Sequence, residues 1–330
     1  MPIDPAKAHE VLKVDYGSPF LSCRFDPTGR FVLAGAEDNS ILRWELATNQ
    51  KTALAKHDSW VHALAFSHDG ATVVSGGCDG RLIWWPAAAE TPEPIRIVDA
   101  HQGWVRGLVT SPDGQFLLSG GNDRAVKLWN LADGTLIREF TGHDSHVYSV
   151  CFHPSGEIAL SGDLHGNVHQ WEVATSKLMR SFDAKALWSY NGGQGVDFGG
   201  VRALAVSADG KSLAAGGLFN ASNPLGAVHD PLVLLFDWES QKVLQQHIAD
   251  GLKGSIWRVV FHPDGWLIGV SGGSTGGHVL FWKPDQNKEF HRYQLPNIAR
   301  DLDLHPDQIR IVVAHHDRHL RVSQLTAKAT

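Results

Sequence analysis

The chain has 330 residues, 43% hydrophobic and 19% charged, the proportions of an ordinary globular protein long enough to bury a sizeable core. A formal net charge of −6 argues against a broad nucleic-acid surface. The three cysteines, Cys23, Cys78 and Cys151, are too widely spaced for a metal-ligand pattern and read as small buried apolar residues in a reducing compartment. The N-terminal MPIDPAKAHE has neither the basic start nor the apolar stretch of a signal peptide, and runs such as Pro231 to Phe236 are too short to span a bilayer, so the expected location is cytoplasmic.

The first predicted element is a strand over EVLKVD, Glu10 to Asp15. From there the chain repeats itself. A tight turn ends at Gly29, Gly70, Gly114, Gly156, Gly210 and Gly265, and a seventh places Gln308 where glycine is expected; successive separations are 41, 44, 42, 54, 55 and 43 residues. In four units a tryptophan follows the turn glycine by 15 residues: Trp44, Trp85, Trp129 and Trp171. The fifth unit ends instead at Phe236, the sixth at Trp282 after 17 residues, and the seventh at Ser323.

Each unit reads as an apolar strand, the turn, a second strand such as FLLSGG, a polar turn, a third strand such as VKLWNL, and a more polar fourth such as LIREF. Apolar residues recur every second position and breakers interrupt about every ten, which excludes helices. Four short strands per unit make one antiparallel blade, and blades stacked around an axis bury both faces of each sheet. The expected fold is all-β: a seven-bladed β-propeller of four-stranded antiparallel blades, one domain over residues 1–330. The last unit stops after its third strand, LRVSQL, so the N-terminal strand 10–15 is expected to complete it and close the ring.

These seven spaced units resemble the WD-repeat (WD40-type) β-propellers, from about Glu10 to Leu325. The resemblance implies a hydrogen-bonded tetrad of His, Ser or Thr, Asp and Trp in each regular blade. By position these are His57, Ser75, Asp79 and Trp85 in the second unit, and His101, Ser119, Asp123 and Trp129 in the third. The fourth has His143, Ser161 and Trp171, with His165 in the Asp position. The first keeps Asp38 and Trp44 but has Ala34 for serine; the fifth has Ala215, the sixth Leu252 and Gly276, and the seventh Ala314. A Ser-His-Asp set that recurs in consecutive blades serves packing, not nucleophilic catalysis.

Nineteen histidines raise the question of a metal. His68, His153, His262 and His305 occupy one turn position in different blades, so rotational symmetry keeps them apart. The densest group, His315, His316, Asp317 and His319, lies in a turn where Asp317 holds the tetrad place. SGGSTGGHV, Ser271 to Val279, precedes a strand and lacks the ending of a phosphate cradle. No cofactor or metal is implied.

Two insertions, Asp183 to Gly200 and Gly217 to Pro231, open on the face where inner strands begin and carry Trp188, Tyr190 and Phe219, read as exposed aromatics. On that face the resemblance places Trp60, His62, Trp104, Arg106, His146, Tyr148, Arg202, Trp257 and Arg300 around the mouth of the central channel, where similar proteins contact peptides. Trp, Tyr and Arg dominate protein-binding hot spots. The reading is a non-catalytic assembly platform, monomeric by itself. Its partner would be a protein or peptide, acidic or bearing a carboxylate, and neither nucleic acid nor membrane. The alternative is a propeller hydrolase or lyase with a metal or His/carboxylate site in the channel.

Overall fold

Period-2 apolar alternation between tight turns folds each unit into a four-stranded antiparallel sheet, with neighbours in chain order hydrogen bonded. The third blade, Val105–Thr110, Phe116–Gly121, Val126–Asn130 and Leu136–Phe140, is representative. The structure, a computed structural model, describes residues 3–221 and 228–328. Among these residues there are seven four-stranded sheets and one two-stranded hairpin, and no helix is long and apolar enough to cross a membrane. Each inner strand packs beside those of the flanking blades, and the first packs against the seventh, so the sheets form a ring.

The core lies between blades. Ala63, Val74, Leu82 and Trp84 of the second blade share one apolar cluster with Val105, Leu108, Leu117 and Trp129 of the third. Blades approach closely because the second strand ends on glycines. A Cβ on Gly76 would lie 2.6 Å from Val105 of the next blade, and one on Gly120 2.7 Å from Val147. The turn glycines from Gly29 to Gly265 all sit in the left-handed region, and Gln308 takes the same conformation at φ 63° without glycine's freedom.

The ring closes as the sequence implies. His9–Asp15 pairs antiparallel with His319–Gln324, adding a fourth strand to Ala299–Leu304, Arg310–His315 and His319–Gln324. The seam between seventh and first blades is also held by charge. Asp301 accepts from the Cys23 N–H at 3.0 Å and from Arg24 at 2.6 Å, and Asp303 accepts from the Phe25 N–H at 2.9 Å. Cys23 and Cys151 are buried and Cys78 half-buried, all three as free thiols.

The second and third units form complete relays. Trp85 Nε1–H donates to Ser75 Oγ at 2.9 Å, Ser75 pairs with His57 Nε2 at 2.8 Å, and His57 Nδ1 with Asp79 at 2.9 Å. In the third, Trp129 to Ser119 is 2.9 Å, Ser119 to His101 2.7 Å and His101 to Asp123 2.8 Å. A carboxylate can only accept, so the His proton sits on Nδ1 and the serine hydroxyl donates to Nε2. Burial raises the Asp79 and Asp123 pKa values, but the His bonds and backbone N–H donors outweigh it and hold both below the usual range.

The fourth unit corrects the sequence expectation. Its relay runs from Trp171 through Ser161 and His143 to Asp163, at 2.7, 2.6 and 2.9 Å, and His165 takes no part. The carboxylate has moved two residues upstream, onto the end of the second strand, where it also accepts from the Asn167 N–H. In the first unit Tyr16 stands four residues before the inner strand, the place of the histidines, and bonds Ser40, which bonds Asp38. Trp44 then finds its acceptor in Asn49 at 2.8 Å. The Trp282 indole nitrogen is buried without a partner among the described residues.

The recurring turn histidines hold neighbouring blades together. Nε2 of His153, His262 and His305 lies 3.2, 2.9 and 3.2 Å from the carbonyl oxygen of Gly210, Gln308 and Gly29 in the following blade's turn. In His153 and His262, Nδ1 accepts a backbone N–H, from Ser155 and Asp264, which leaves the proton on Nε2 to cross the blade boundary.

Two outcomes test this scheme. Trp129→Phe or Ser119→Ala alone breaks a buried hydrogen bond, at about 1–3 kcal/mol each. The double variant should cost less than their sum in a denaturant cycle, as Phe236 with Ala215 already does without either group; strict additivity would dissolve the relay. Deleting residues 1–16 removes the strand paired with His319–Gln324 and should lower Tm by about ten degrees or more, measured calorimetrically.

Candidate functional site

The inner strands share an irregularity that builds the site. Pairing in the second blade runs from Val61 with Gly77 to Ala63 with Gly76, so His62 is an extra, unpaired residue. The same slip leaves out Leu21, Arg106, Tyr148, Trp257 and Arg300 in the first, third, fourth, sixth and seventh blades. A bulge re-aims the side chain it carries. In the fifth blade Arg202 immediately precedes the strand, tied by its N–H to the Gly216 carbonyl. These bulged positions line the central channel.

Around the mouth, guanidinium groups and aromatic rings alternate. Arg106 lies 4.2 Å from the Trp104 ring and 4.9 Å from that of Tyr148; Arg202 lies 4.2 Å from Tyr148 and 5.5 Å from Trp257; Arg300 lies 5.2 Å from Trp257. Trp60, 41% exposed, leans on Trp104 at 6.2 Å, and His62 lies 6.5 Å from the same ring. His146 is half-buried nearby, where burial and then Arg106 lower its pKa. Burial and Arg106 together push His62 down to about 4, so it is neutral at pH 7.

None of the three mouth arginines has a carboxylate partner among the described ion pairs, although Arg106 donates to Asn122 at 2.9 Å. Nε of Arg202 and of Arg300 is buried with no hydrogen-bond partner among the described residues. Burial lowers the pKa of all three, Arg106 to about 10. Deeper in the channel the pattern reverses, since Arg24 is paired with Asp301. The bore itself has a volume of about 80 Å³.

The insertions stand beside the mouth. The first forms a short turn, Lys185–Leu187, and a hairpin of Trp188–Asn191 with Val196–Gly199. Tyr190 is 59% exposed. The other two aromatics differ from the expectation: Trp188 is half-buried, with Nε1 donating to Asp197 at 2.9 Å, and Phe219 packs against the core of the fourth and fifth blades. His165 ends up here, 3.4 Å from Asp197 and 5.4 Å from the Trp188 ring. The second insertion lengthens its strands to Ser212–Phe219 and Asp230–Asp237; residues 222–227 of it lie outside the described part.

The opposite face satisfies its own polar groups. Asp69 and Asp209 accept from Ser67 and Ser207 within their turns, each at 2.6 Å. On the mouth face, Asp317 of the histidine-rich turn between the seventh blade's second and third strands receives both terminal nitrogens of Arg321, at 2.9 and 2.7 Å. Among the described residues no group of three or more His, Cys, Asp or Glu side chains is placed to hold a metal.

Comparison with known proteins follows the same units. The profile of the WD domain, G-beta repeat, matches residues 10–45, 48–86, 92–130 and 134–172. The chain is a WD-repeat propeller. The matched stretches of this propeller are the four units with tryptophan 15 residues after the turn; the fifth, sixth and seventh units fall outside them. It is similar to Protein RAE1 of Arabidopsis thaliana, 34% identical over 90 residues, 25% of each chain. It is also similar to Transcription factor unc-37 of Caenorhabditis elegans, 33% identical over 82 residues, 25% of this chain and 13% of that one. Protein HIR1 of Chaetomium globosum is 31% identical over 84 residues, 19% of this chain and 8% of that one. The matched stretch spans a quarter or less of these relatives' own length.

The channel offers a direct comparison of two arginines. Arg24→Met would leave the buried Asp301 carboxylate with backbone N–H donors and the more distant Arg258, 4.0 Å away, and should cost about 2 kcal/mol or more. Arg202→Met removes a cation that has no carboxylate partner and keeps a long side chain against Tyr148 and Trp257, so its cost should stay below about 1 kcal/mol. Urea unfolding of the two variants checks the contrast.

Proposed function

We propose that this WD-repeat propeller is a non-catalytic scaffold that binds a protein or peptide through the channel mouth and the adjoining insertion face. WD-repeat propellers generally serve as protein-interaction scaffolds, and the relatives are similar over a quarter of this chain or less. The observation that carries the reading is the arc of Arg106, Tyr148, Arg202, Trp257 and Arg300, whose cations are held half-buried without carboxylate partners. Such an arrangement costs stability in the free protein and is relieved by an anionic partner. Aromatic anchors between arginines suit a peptide that is acidic or bears a carboxylate. The self-paired turns of the opposite face offer no comparable donors.

A bore of about 80 Å³ is small beside the 300–1,000 Å³ of ordinary small-molecule sites, which favours recognition at the rim over chemistry inside the channel. Three free thiols fit a reducing, cytoplasmic setting, and we take the working unit to be a monomer that meets protein rather than nucleic acid or membrane.

The test is partner capture by the purified chain from lysate of its source cells. Arg106→Met with Tyr148→Ala should reduce captured protein about tenfold or more, as loss of a hot-spot pair does, with Tm within a few degrees of the parent. Gln115→Glu with Lys211→Glu, on the exposed opposite face, should leave capture unchanged. The reverse pattern would put the binding surface on the other side of the ring.

A further inference from the structure

Between the hairpin and the channel mouth lies a cleft of about 370 Å³. Its walls bring together residues from three places. Phe198 comes from the insertion hairpin, Leu218 and His229 from the lengthened strands of the fifth blade and the turn between them, and Arg202, Trp257 and Arg300 from the mouth. Three of these residues carry a side-chain nitrogen buried without a partner among the described residues: Arg202 Nε, Arg300 Nε and His229 Nδ1. Among the described residues, no aspartate or glutamate lines the cleft. The Trp257 indole is fixed by its own hydrogen bond to the Gly272 carbonyl at 3.2 Å, so its ring, not its N–H, is what the cleft presents.

An occupant must therefore bring negative charge for two guanidinium groups and apolar surface for Phe198, Leu218 and the Trp257 ring, both within one small volume. An internal Asp, Glu or phosphorylated side chain spends its whole length on charge and would leave the apolar wall wet. A chain-terminal residue carries a carboxylate and a side chain on the same carbon. Its two oxygens match the two arginine Nε–H donors, and its amide N–H matches His229 Nδ1. Burial holds His229 neutral, so that nitrogen accepts a hydrogen bond when the proton is on Nε2.

We propose that this cleft captures the free C-terminal carboxylate of a protein partner whose last residue is apolar. The proposal rests on the scaffold reading above and specifies which part of the partner is held. Recognition of a chain terminus by charge-assisted hydrogen bonds, with the last side chain in an apolar pocket, gives specificity from very few contacts. It also assigns the hairpin a role, since Phe198 supplies a wall that the seven blades alone would lack.

The test uses minimal probes on the full chain, read by the Trp257 indole N–H resonance, assigned with Trp257→Phe. N-acetyl-leucine should shift this resonance, and N-acetyl-leucinamide, which lacks only the charge, should bind about tenfold more weakly or worse. N-acetyl-phosphoserine amide should bind more weakly than N-acetyl-leucine. Arg300→Gln should remove the preference for acid over amide. Phe198→Ala, on the hairpin outside the blades, should weaken N-acetyl-leucine severalfold while the tryptophan spectrum of the fold stays unchanged.

Equal affinity for acid and amide, tighter binding of the phosphoserine probe, or no shift with any probe would each overturn the proposal. Its failure is distinguishable from failure of the scaffold reading. Partner capture that depends on Arg106 and Tyr148 but shows no acid preference here would remove this inference alone. An acid preference without any partner capture would do the opposite.

Discussion

Everything in this molecule depends on the junction where the strand His9–Asp15 pairs with His319–Gln324. A blade cannot bury both faces unless it has neighbours on each side, and only a closed ring gives every blade two. At most boundaries the adhesive is apolar surface, which is indifferent to register along the axis. At the closing boundary Asp301 and Asp303 accept N–H groups of Cys23 and Phe25, directional bonds that set how the first blade sits on the last. The turn histidines add the same kind of constraint on the far side, with His305 reaching Gly29 across that junction. Apolar packing thus supplies most of the adhesion and a few buried polar contacts supply the alignment.

The same geometry creates the candidate site. Glycine at the end of each second strand lets the next blade come close, and the bulge opposite turns one residue per blade toward the axis. The repeat therefore produces a ring of side-chain positions at the mouth whose identity is free of any folding role. Relays and turn histidines are tightly specified, whereas the bulged position holds Leu21, His62, Arg106, Tyr148, Trp257 or Arg300 according to blade. Variation at one position in an otherwise repetitive frame turns a symmetric scaffold into an asymmetric surface. Its charge sits on one arc, from the third blade to the seventh.

Much of this was legible in the sequence because it is encoded in spacing. The turn glycines, the tryptophans 15 residues later and the position of EVLKVD define seven blades and their closure. Two tetrads follow from residue identity at fixed offsets. What spacing hides is substitution by geometry: Asp163 reaches His143 from a different offset, and Tyr16 replaces a histidine by reaching Ser40. The bulges are invisible in the sequence because an extra residue in a strand leaves the unit length unchanged when every unit has one. Trp188 and Phe219 looked exposed because insertions have no partners in a repeat pattern, yet they fold back on Asp197 and on the fifth blade's core. His229 and Phe198 had no signal at all, since each matters only through neighbours far away in the chain.

The closing pair has a mechanical meaning. His9 lies opposite Gln324 and Asp15 opposite His319, and the Asp4 N–H meets the Leu325 carbonyl at 2.8 Å, so the two ends of the described chain leave the blade at the same edge. Tension applied between them loads the strand pair from that edge inward, one hydrogen bond at a time, as a zipper is opened, and not all together in shear. A ring whose blades support one another all round is in this one direction easily unfastened. A tether or domain joined at both ends would pull on the single joint that holds the circle shut, while tension entering through the turns of the other blades would be shared around the whole circumference.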